Sequence, residues 1–285
     1  MSLALSIACG VLTATGFGTA DFIAKLSTER VGFLRTALFM QVIGSFFVLP
    51  FGLTDASRLL TDPWTTLAAI LLGVVNALGT LSLYKGFEVG RLSIISPIAS
   101  TAPVVAILLA VTFLGEIVTK RLLVAISLVL VGIILVSVQT AQTDASKQLA
   151  KGTAYAISFM LFGGLLLFGL KPVSGVLGVF LPVLIMRWGG IPVLAVPYLA
   201  RRSEGQGGGA FRLILAVAFF DTFANVIYTL GVRVGTVSIV STLGGMFSAV
   251  TVLLARVMLK ERLSHHQIVG FIAIVVGVGI LGAFG

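Results

Sequence analysis

The sequence predicts an all-α integral membrane protein with ten transmembrane helices, built as two inverted five-helix repeats. Composition is the first reason: 58% of the 285 residues are hydrophobic and 10% are charged, whereas soluble domains carry about 25% charged residues. Stretches of about 20 uncharged residues are as long as a helix that crosses the hydrocarbon core. Their hydrophobicity is continuous rather than alternating, which indicates helices and not the strands of a membrane barrel.

A weak internal repeat is the second reason. Residues 86–132 align without gaps on residues 231–277, 145 positions later, with 15 identities in 47 positions, which is more than this composition gives by chance. Each copy holds an odd number of predicted spans, so the second copy has to insert upside down. Inverted repeats are how many secondary transporters build alternating access.

Ten apolar runs follow one another along the chain, separated mostly by short loops. The polar stretch Gln139–Lys151 falls where the two halves meet and is predicted to be a linker. We therefore expect a first five-helix repeat at 1–140, a linker at 141–151 and a second five-helix repeat at 152–285. The predicted spans are Leu3–Ala24, Phe33–Leu53, Trp64–Tyr84, Leu92–Leu114, Leu122–Thr140, Gly152–Leu170, Val176–Leu199, Leu213–Val232, Val237–Met258 and Gln267–Phe284.

The distribution of Lys and Arg predicts the orientation. Of the 19 such residues, 13 fall in the loops after spans 1, 3, 5, 7 and 9, and 5 in the loops after spans 2, 4, 6 and 8. Because positive charge is enriched on the cytoplasmic side, both termini are predicted to lie on the non-cytoplasmic side of a bacterial inner (plasma) membrane.

Small residues at Gly10, Ala14 and Gly18 share one face of span 1 and predict close helix packing.

Charge and cysteine content exclude several classes of function. The net charge of +9 comes from span ends, where Lys and Arg meet anionic lipid headgroups, and no basic patch with interleaved aromatics indicates a nucleic-acid partner. The single Cys9 allows no disulfide within the chain, and no Cys/His cluster indicates a metal or another cofactor. No phosphate-binding loop or nucleophile motif is present, which disfavours an ATP-driven pump or an enzyme.

Two polar stripes are the strongest candidates for a binding site. Asn76 and Thr80 lie with Leu83 on one face of span 3, and 145 positions later Asp221 and Asn225 lie with Tyr228 on one face of span 8. The internal pseudo-two-fold therefore directs both stripes toward one cavity near the middle of the bilayer. The alternative is that these residues only bond neighbouring helices.

The charged residues inside predicted spans have several possible roles. Asp221 is costly at membrane depth, so a contact to a substrate amine, a proton carrier and a structural partner of Arg187 all stay open. Arg187 itself either lies mid-span or marks the end of a shorter span. Asp21, four residues before Lys25, is expected to form an interfacial ion pair at the end of span 1.

Helix breaks at matching positions predict mobile elements. Span 4 contains Pro97 and Pro103, and span 9 contains Gly244-Gly245; proline and paired glycines both weaken a helix. These four positions are candidate gating residues, unless the kinks serve packing alone. Hydroxyls beside the breaks and aromatics in nearby spans complete the candidate substrate-binding set, which adds Ser96, Ser100, Ser241, Thr242, Tyr84 and Phe162.

The repeat also carries a recognisable pattern. Each copy has a small-residue turn, a Ser-rich helix, a hydrophobic stretch ending in Leu-x-Glu, a short basic loop and a Gly-containing helix. The copies run from Gly90–Ser96 through Leu114-Gly115-Glu116 to Gly132, and from Gly235–Ser241 through Leu259-Lys260-Glu261 to Gly277. This pattern resembles the EamA domain of the drug/metabolite transporter superfamily over the whole chain, as two five-helix units.

Within that superfamily the sequence is similar to the YddG-type amino-acid exporters. The resemblance implies export of aromatic and other neutral amino acids by alternating access, through a cavity formed mainly by helices 1, 3, 4, 6, 8 and 9. It transfers no individual substrate-binding residue to this chain.

We therefore expect a non-enzymatic secondary transporter that exports amino acids or similar small metabolites. Its expected partners are a small-molecule substrate and the lipid bilayer, with protons as a candidate coupling ion. One alternative is a carrier for sugars, nucleotide-sugars or cationic drugs. Another is a membrane enzyme or other membrane protein without transport activity.

Overall fold

The computed structural model describes residues 3–60, 62–89, 95, 98–137, 146–200, 210–259 and 265–284. These residues form helices and turns, with no strand among them. A short 3₁₀ turn lies at Ala56–Leu60. The helices are α1 (Leu3–Val31), α2 (Phe33–Leu53), α3 (Pro63–Val89), α4 (Ala102–Leu114), α5 (Lys120–Ser137), α6 (Ser146–Leu177), α7 (Phe180–Ala200), α8 (Phe211–Val234), α9 (Val237–Gly244), α10 (Phe247–Leu259) and α11 (His265–Phe284).

Six of the described helices are long and apolar enough to cross a membrane, namely α1, α2, α3, α7, α8 and the segment Gly152–Leu177 of α6. Shorter apolar helices lie at Ala102–Leu114, Val237–Thr251 and Ile268–Gly277. The fold is therefore that of an all-helical, multi-pass membrane protein.

Several helices extend beyond the apolar runs that predict them. The prediction for α2 is confirmed at both ends. In contrast, α1 continues from the predicted end at Ala24 to Val31, and α6 begins at Ser146, inside the predicted linker. Lys, Glu and Arg favour helices nearly as well as leucine does, so charge ends the hydrophobic run without ending the helix.

The helices recur at the spacing of the sequence repeat. Helix α10 (247–259) begins and ends 145 positions after α4 (102–114). The ends of α3 at Val89 and of α8 at Val234 are also 145 positions apart. The turns at Ser100-Thr101 and Gly245-Met246 are equivalent as well. The predicted break at Gly244-Gly245 is thus confirmed, and it divides span 9 into α9 and α10. The helix bounds therefore follow the register of the aligned segments.

Glycines allow the helices to approach one another closely. The small-residue face of α1 packs on α9 and α10, where Gly10 lies against Leu243 and Gly18 against Val250. At Gly73 of α3 a side chain would collide with the carbonyl oxygen of Met186 on α7. Such contacts join α1 to α8 and α3 to α6 and α7, and they enclose the centre of the bundle. Close packing is a main source of helix association in lipid.

The end of α8 and the start of α9 are held by side chains from distant parts of the chain. The carboxylate of Glu116 accepts hydrogen bonds from the backbone N–H of Val237 at 2.7 Å and from the N–H and Oγ of Ser238 at 3.0 and 2.6 Å. The Lys171 ammonium donates to the carbonyl oxygens of Val232 and Gly235. These contacts satisfy backbone groups that a helix end leaves without partners. Glu116 belongs to the first repeat and α9 to the second, so this contact joins the two.

We predict that Gly73→Ala destabilises the protein. The added methyl group has only backbone as its neighbour, and overpacking of this kind costs about 1–3 kcal/mol, so the Tm of the detergent-purified protein should fall. Gly175→Ala is the control, because no atom lies within 4 Å of a Cβ at that position of α6. Equal Tm values for the two variants would contradict the close contact between α3 and α7.

We predict that Glu116→Ala also lowers the Tm. Loss of the carboxylate leaves the first amides of α9 without acceptors, at a cost of about 1–3 kcal/mol. Glu88→Ala serves for comparison, because Glu88 is exposed and pairs with Lys85 on its own helix, so its loss should change the Tm little. A Glu116→Ala variant that melts like Glu88→Ala would show that the cap is dispensable.

Candidate functional site

A cavity of about 80 Å³ lies at the centre of the bundle. Its lining comes from predicted spans 1, 3, 4, 6, 8 and 9, so both repeats contribute walls. Aromatic rings form much of the apolar surface, including Phe17, Phe159, Phe162 and Phe247. The volume is below the roughly 300–1,000 Å³ of most ligand pockets, so the walls have to separate before the cavity admits a metabolite.

Residues at equivalent positions of the two repeats face each other across this cavity. Five pairs of lining residues are separated by 145 positions, which means that the pseudo-two-fold axis passes through the cavity. The pairs are Phe17 with Phe162, Asp21 with Leu166, Asn76 with Asp221, Thr80 with Asn225, and Ala102 with Phe247.

The structure brings most of the predicted site residues together. The predicted stripes meet in this cavity, and Tyr84 and Phe162 line it with them. Three of the candidate gating residues also lie in the wall. The predicted residues that line the cavity are Asn76, Thr80, Tyr84, Phe162, Asp221, Asn225, Pro103, Gly244 and Gly245.

Four predicted binding residues do not line the cavity. The Tyr228 hydroxyl bonds the carbonyl oxygen of Leu167 and the Oγ of Ser241, each at 2.7 Å, so both side chains join helices. Thr242 donates to the Ser238 carbonyl one turn earlier, at 2.6 Å. Ser100 is fully buried away from the cavity. These four hydroxyl groups do not line the cavity in this structure, and a contact between them and a substrate stays a prediction.

The two helix breaks meet in the cavity wall. A Cβ at Gly245 would lie 2.6 Å from Cγ of Pro103, so the break of one repeat packs directly on the break of the other. Two further candidates, Ser96 and Pro97, lie outside the described residues. Contact between the breaks places both potential hinges beside the polar stripes.

Arg187, buried behind the cavity wall, forms an ion pair with Asp221, which lines the cavity. The fully buried Arg187 donates from Nη2 to Oδ2 of Asp221 at 2.6 Å and from Nη1 to Oε1 of Gln41 at 2.7 Å. Asn225 donates to the same carboxylate oxygen at 3.2 Å. Arg187 lies three residues from the middle of α7 and Asp221 near the middle of α8. Both are therefore mid-span charges, and the glycine at Gly44 leaves room for the guanidinium.

Two polar cavity residues and one hydrogen-bond partner of the guanidinium are missing from the sequence prediction. Asp21 was expected to pair with Lys25 at an interface, but α1 continues for ten residues beyond it, and Asp21 lines the cavity without a salt bridge to Lys25. Thr13 lines the cavity two turns earlier. Gln41, the partner of Arg187, stands alone in an apolar run. An isolated polar residue at helical spacing from others is the signal that could have found Thr13 and Asp21.

The site is suited to reversible binding of an amphipathic molecule. Amide and hydroxyl groups of Asn76, Thr80 and Asn225 can donate and accept hydrogen bonds, while the aromatic walls accept an apolar body. The described residues contain no group of three or more His, Cys, Asp or Glu side chains that could hold a metal ion.

Breaking the ion pair on one side should destabilise the protein strongly. We predict that Asp221→Asn or Arg187→Met alone costs about 3–5 kcal/mol, because each leaves a buried charge without its partner. The Arg187→Met, Asp221→Leu double variant should melt at a higher temperature than either single variant, measured as Tm in detergent. A double variant that is less stable than both single variants would contradict this account of the pair.

Comparison with known proteins agrees with the two-repeat architecture. A model of the EamA-like transporter family matches the chain twice, at residues 4–138 and 150–283. The uncharacterized protein MJ1333.1 of Methanocaldococcus jannaschii is 29% identical over 133 residues, which are 47% of this chain and 96% of the relative. The relative therefore has about the length of one repeat.

A crystal structure of another protein shows the same fold. It aligns with a TM-score of 0.81 and 14% identity over 98% of this chain and 96% of that chain. The family model covers nearly the whole chain in two copies, and the described helices are those of a multi-pass membrane protein. The chain therefore belongs to the EamA-like transporter family.

Proposed function

We propose that the chain is a secondary transporter that exports amino acids, aromatic and other neutral ones, or similar small metabolites. The observation that carries this proposal is the central cavity, whose walls come from equivalent residues of two repeats. Its combination of aromatic surface with Asn and Thr side chains suits a molecule with a polar end and an apolar side chain. The resemblance to YddG-type exporters favours the same substrates.

In the proposed binding mode, Asn76, Thr80 and Asn225 contact the polar groups of the substrate. These side chains line the cavity from α3 and α8. Phe162 and Phe159 on α6 contact the apolar part. Binding is non-enzymatic and needs no cofactor, and the substrate leaves unchanged.

Alternating access would come from motion at the paired breaks. Spans 3–4 and 8–9 rock or bend about the turns at Ser100-Thr101 and Gly245-Met246, with Pro103 and Gly244 in the moving wall. The closeness of Pro103 to Gly245 couples the two breaks, so one side opens as the other closes. Pro97 of span 4, which lies outside the described residues, stays a predicted gating residue.

The orientation and location follow from charge. Lys and Arg concentrate in the loops after predicted spans 1, 3, 5, 7 and 9, with 13 residues against 5 in the other loops, which favours that side as cytoplasmic. Both termini then lie on the non-cytoplasmic side of a bacterial inner membrane. The functional units are the repeats at 1–140 and 152–285, joined by the linker at 141–151, and protons are the candidate coupling ion.

One observation favours a second substrate class. Asp21 and Asp221 both line the cavity, whereas none of its described lining residues is Lys, Arg or His. Carboxylates in an apolar site attract cationic molecules, which supports cationic drugs as substrates. The same lining gives no support to phosphorylated substrates such as nucleotide-sugars, which need cationic side chains.

Flux into proteoliposomes tests the proposed function. Purified protein should move labelled L-phenylalanine down a gradient, and Asn76→Ala with Asn225→Ala should reduce the initial rate about tenfold or more, as expected when two hydrogen bonds are lost. The matched control is Thr15→Ala with Thr112→Ala, since both hydroxyls are exposed and bond only their own helices. Size exclusion and Tm establish that each variant is folded.

The possible outcomes separate the classes. Flux of no tested amino acid, drug or sugar would favour a membrane enzyme or a protein without transport activity. Normal phenylalanine flux in the Asn76→Ala, Asn225→Ala variant would remove both side chains from the binding site.

A further inference from the structure

Three side chains of α1 line the cavity on one face of the helix. Thr13, Phe17 and Asp21 follow one another at intervals of four residues, which stacks them on successive turns. Asp21 lies four residues from the midpoint of α1, or about 6 Å along the helix axis. Its carboxylate therefore stands well inside the hydrocarbon layer and is accessible from the cavity.

The two polar members of this stripe have no partner within the part of the chain that the structure describes. Thr13 is 0% exposed, and its Oγ1 makes no hydrogen bond. The Asp21 carboxylate makes neither a hydrogen bond nor a salt bridge there, whereas Asp221 is bonded to Arg187 and Asn225. Because unpaired buried polar groups are costly, a ligand that supplies donors would gain free energy here.

The charges around the cavity are unbalanced. Asp21 and Asp221 are both in its wall, and Arg187 neutralises only Asp221, from behind the wall. Lys25, one turn further along α1, makes no salt bridge with Asp21. The Asp21 carboxyl group is thus left without a cationic partner in an apolar environment, where the attraction of its ionised form to a cation is much stronger than in water.

The internal symmetry also gives the cavity a direction. The position equivalent to Asp21 holds Leu166, and both residues line the cavity, while Phe17 and Phe162 are identical equivalents. The α1 wall therefore ends in a carboxylate and the α6 wall in apolar groups. An amphipathic cation has one favoured orientation between them, with its charged end at α1.

We propose that the Asp21 carboxylate binds the ammonium group of the substrate, and that the transported class is small amines with an apolar body. Phe17 lies one turn away, where an aromatic ring can contact a cation or its hydrocarbon, and the Thr13 hydroxyl serves a second polar group of longer substrates. Because no cationic side chain lines the described wall, the carboxylate of an amino acid has no charged partner there and is not required. This inference rests on the proposed transport function.

Isothermal titration of the purified full-length protein tests the inference separately from flux. Phenethylamine, L-phenylalanine and 3-phenylpropionate share a ring and a two-carbon chain and differ in the ammonium and carboxylate groups. Phenethylamine should bind at least as tightly as L-phenylalanine, and 3-phenylpropionate should not bind. Asp21→Asn should weaken phenethylamine binding about 10- to 100-fold, as expected for loss of a charge-assisted hydrogen bond.

Two further variants make the result specific. Asp55→Asn removes a carboxylate that pairs with Arg58 outside the cavity and should bind phenethylamine like the unaltered protein. Asp21→Glu keeps the charge and should bind more tightly than Asp21→Asn. Equal affinity in Asp21→Asn and Asp55→Asn, or binding of 3-phenylpropionate as tight as that of phenethylamine, would overturn the inference.

The inference and the proposed function fail in different ways. If amines bind and their binding depends on Asp21, but phenylalanine is not transported, the cation site is supported and amino-acid export is contradicted. If Asp21→Asn leaves phenylalanine flux unchanged and no amine binds, transport is supported and the Asp21 cation site is contradicted.

Discussion

A polar group inside the hydrocarbon layer has no water to bond and must find its partner within the protein. Two of the three guanidinium nitrogens of Arg187 meet this constraint through Gln41 and Asp221. The first amides of α9 meet it through Glu116. Each contact joins residues more than 30 positions apart, so satisfying the polar groups also decides which helices lie together. The packing of the bundle and the shape of its cavity follow from these few bonds and from glycines that let helices touch.

Duplication gives the cavity matching walls, and the two walls differ at a few equivalent positions. Phe17 and Phe162 are the same residue on equivalent faces, and they form similar aromatic surfaces. Asp21 opposite Leu166 and Asn76 opposite Asp221 are unequal. A cavity with two identical halves would bind an amphipathic molecule equally well in two orientations. The unequal pairs remove that degeneracy and give the cavity a polar and an apolar side.

Much of the site could be predicted because a repeat converts one local pattern into a spatial relation. Asn76 and Thr80 share a face of α3 by helical geometry alone, and the register of 145 residues transfers that face to Asp221 and Asn225. The same reasoning failed for Tyr228. Helical spacing places Tyr228 on the stripe, but spacing does not say that Leu167 and Ser241 lie close enough to take its hydroxyl.

The sequence by itself determined the class of fold, the apolar runs, the break at Gly244-Gly245 and the register of the duplication, because each follows from properties of neighbouring residues summed along the chain. Tertiary structure alone decided that Asp21 faces the cavity while Arg187 is buried behind it. Helix length and rotation set the depth and direction of a side chain, and both depend on packing against helices that are distant in sequence. A charge near the end of an apolar run has the same local pattern in either place, so only its neighbours in space distinguish an interfacial residue from one that faces the cavity.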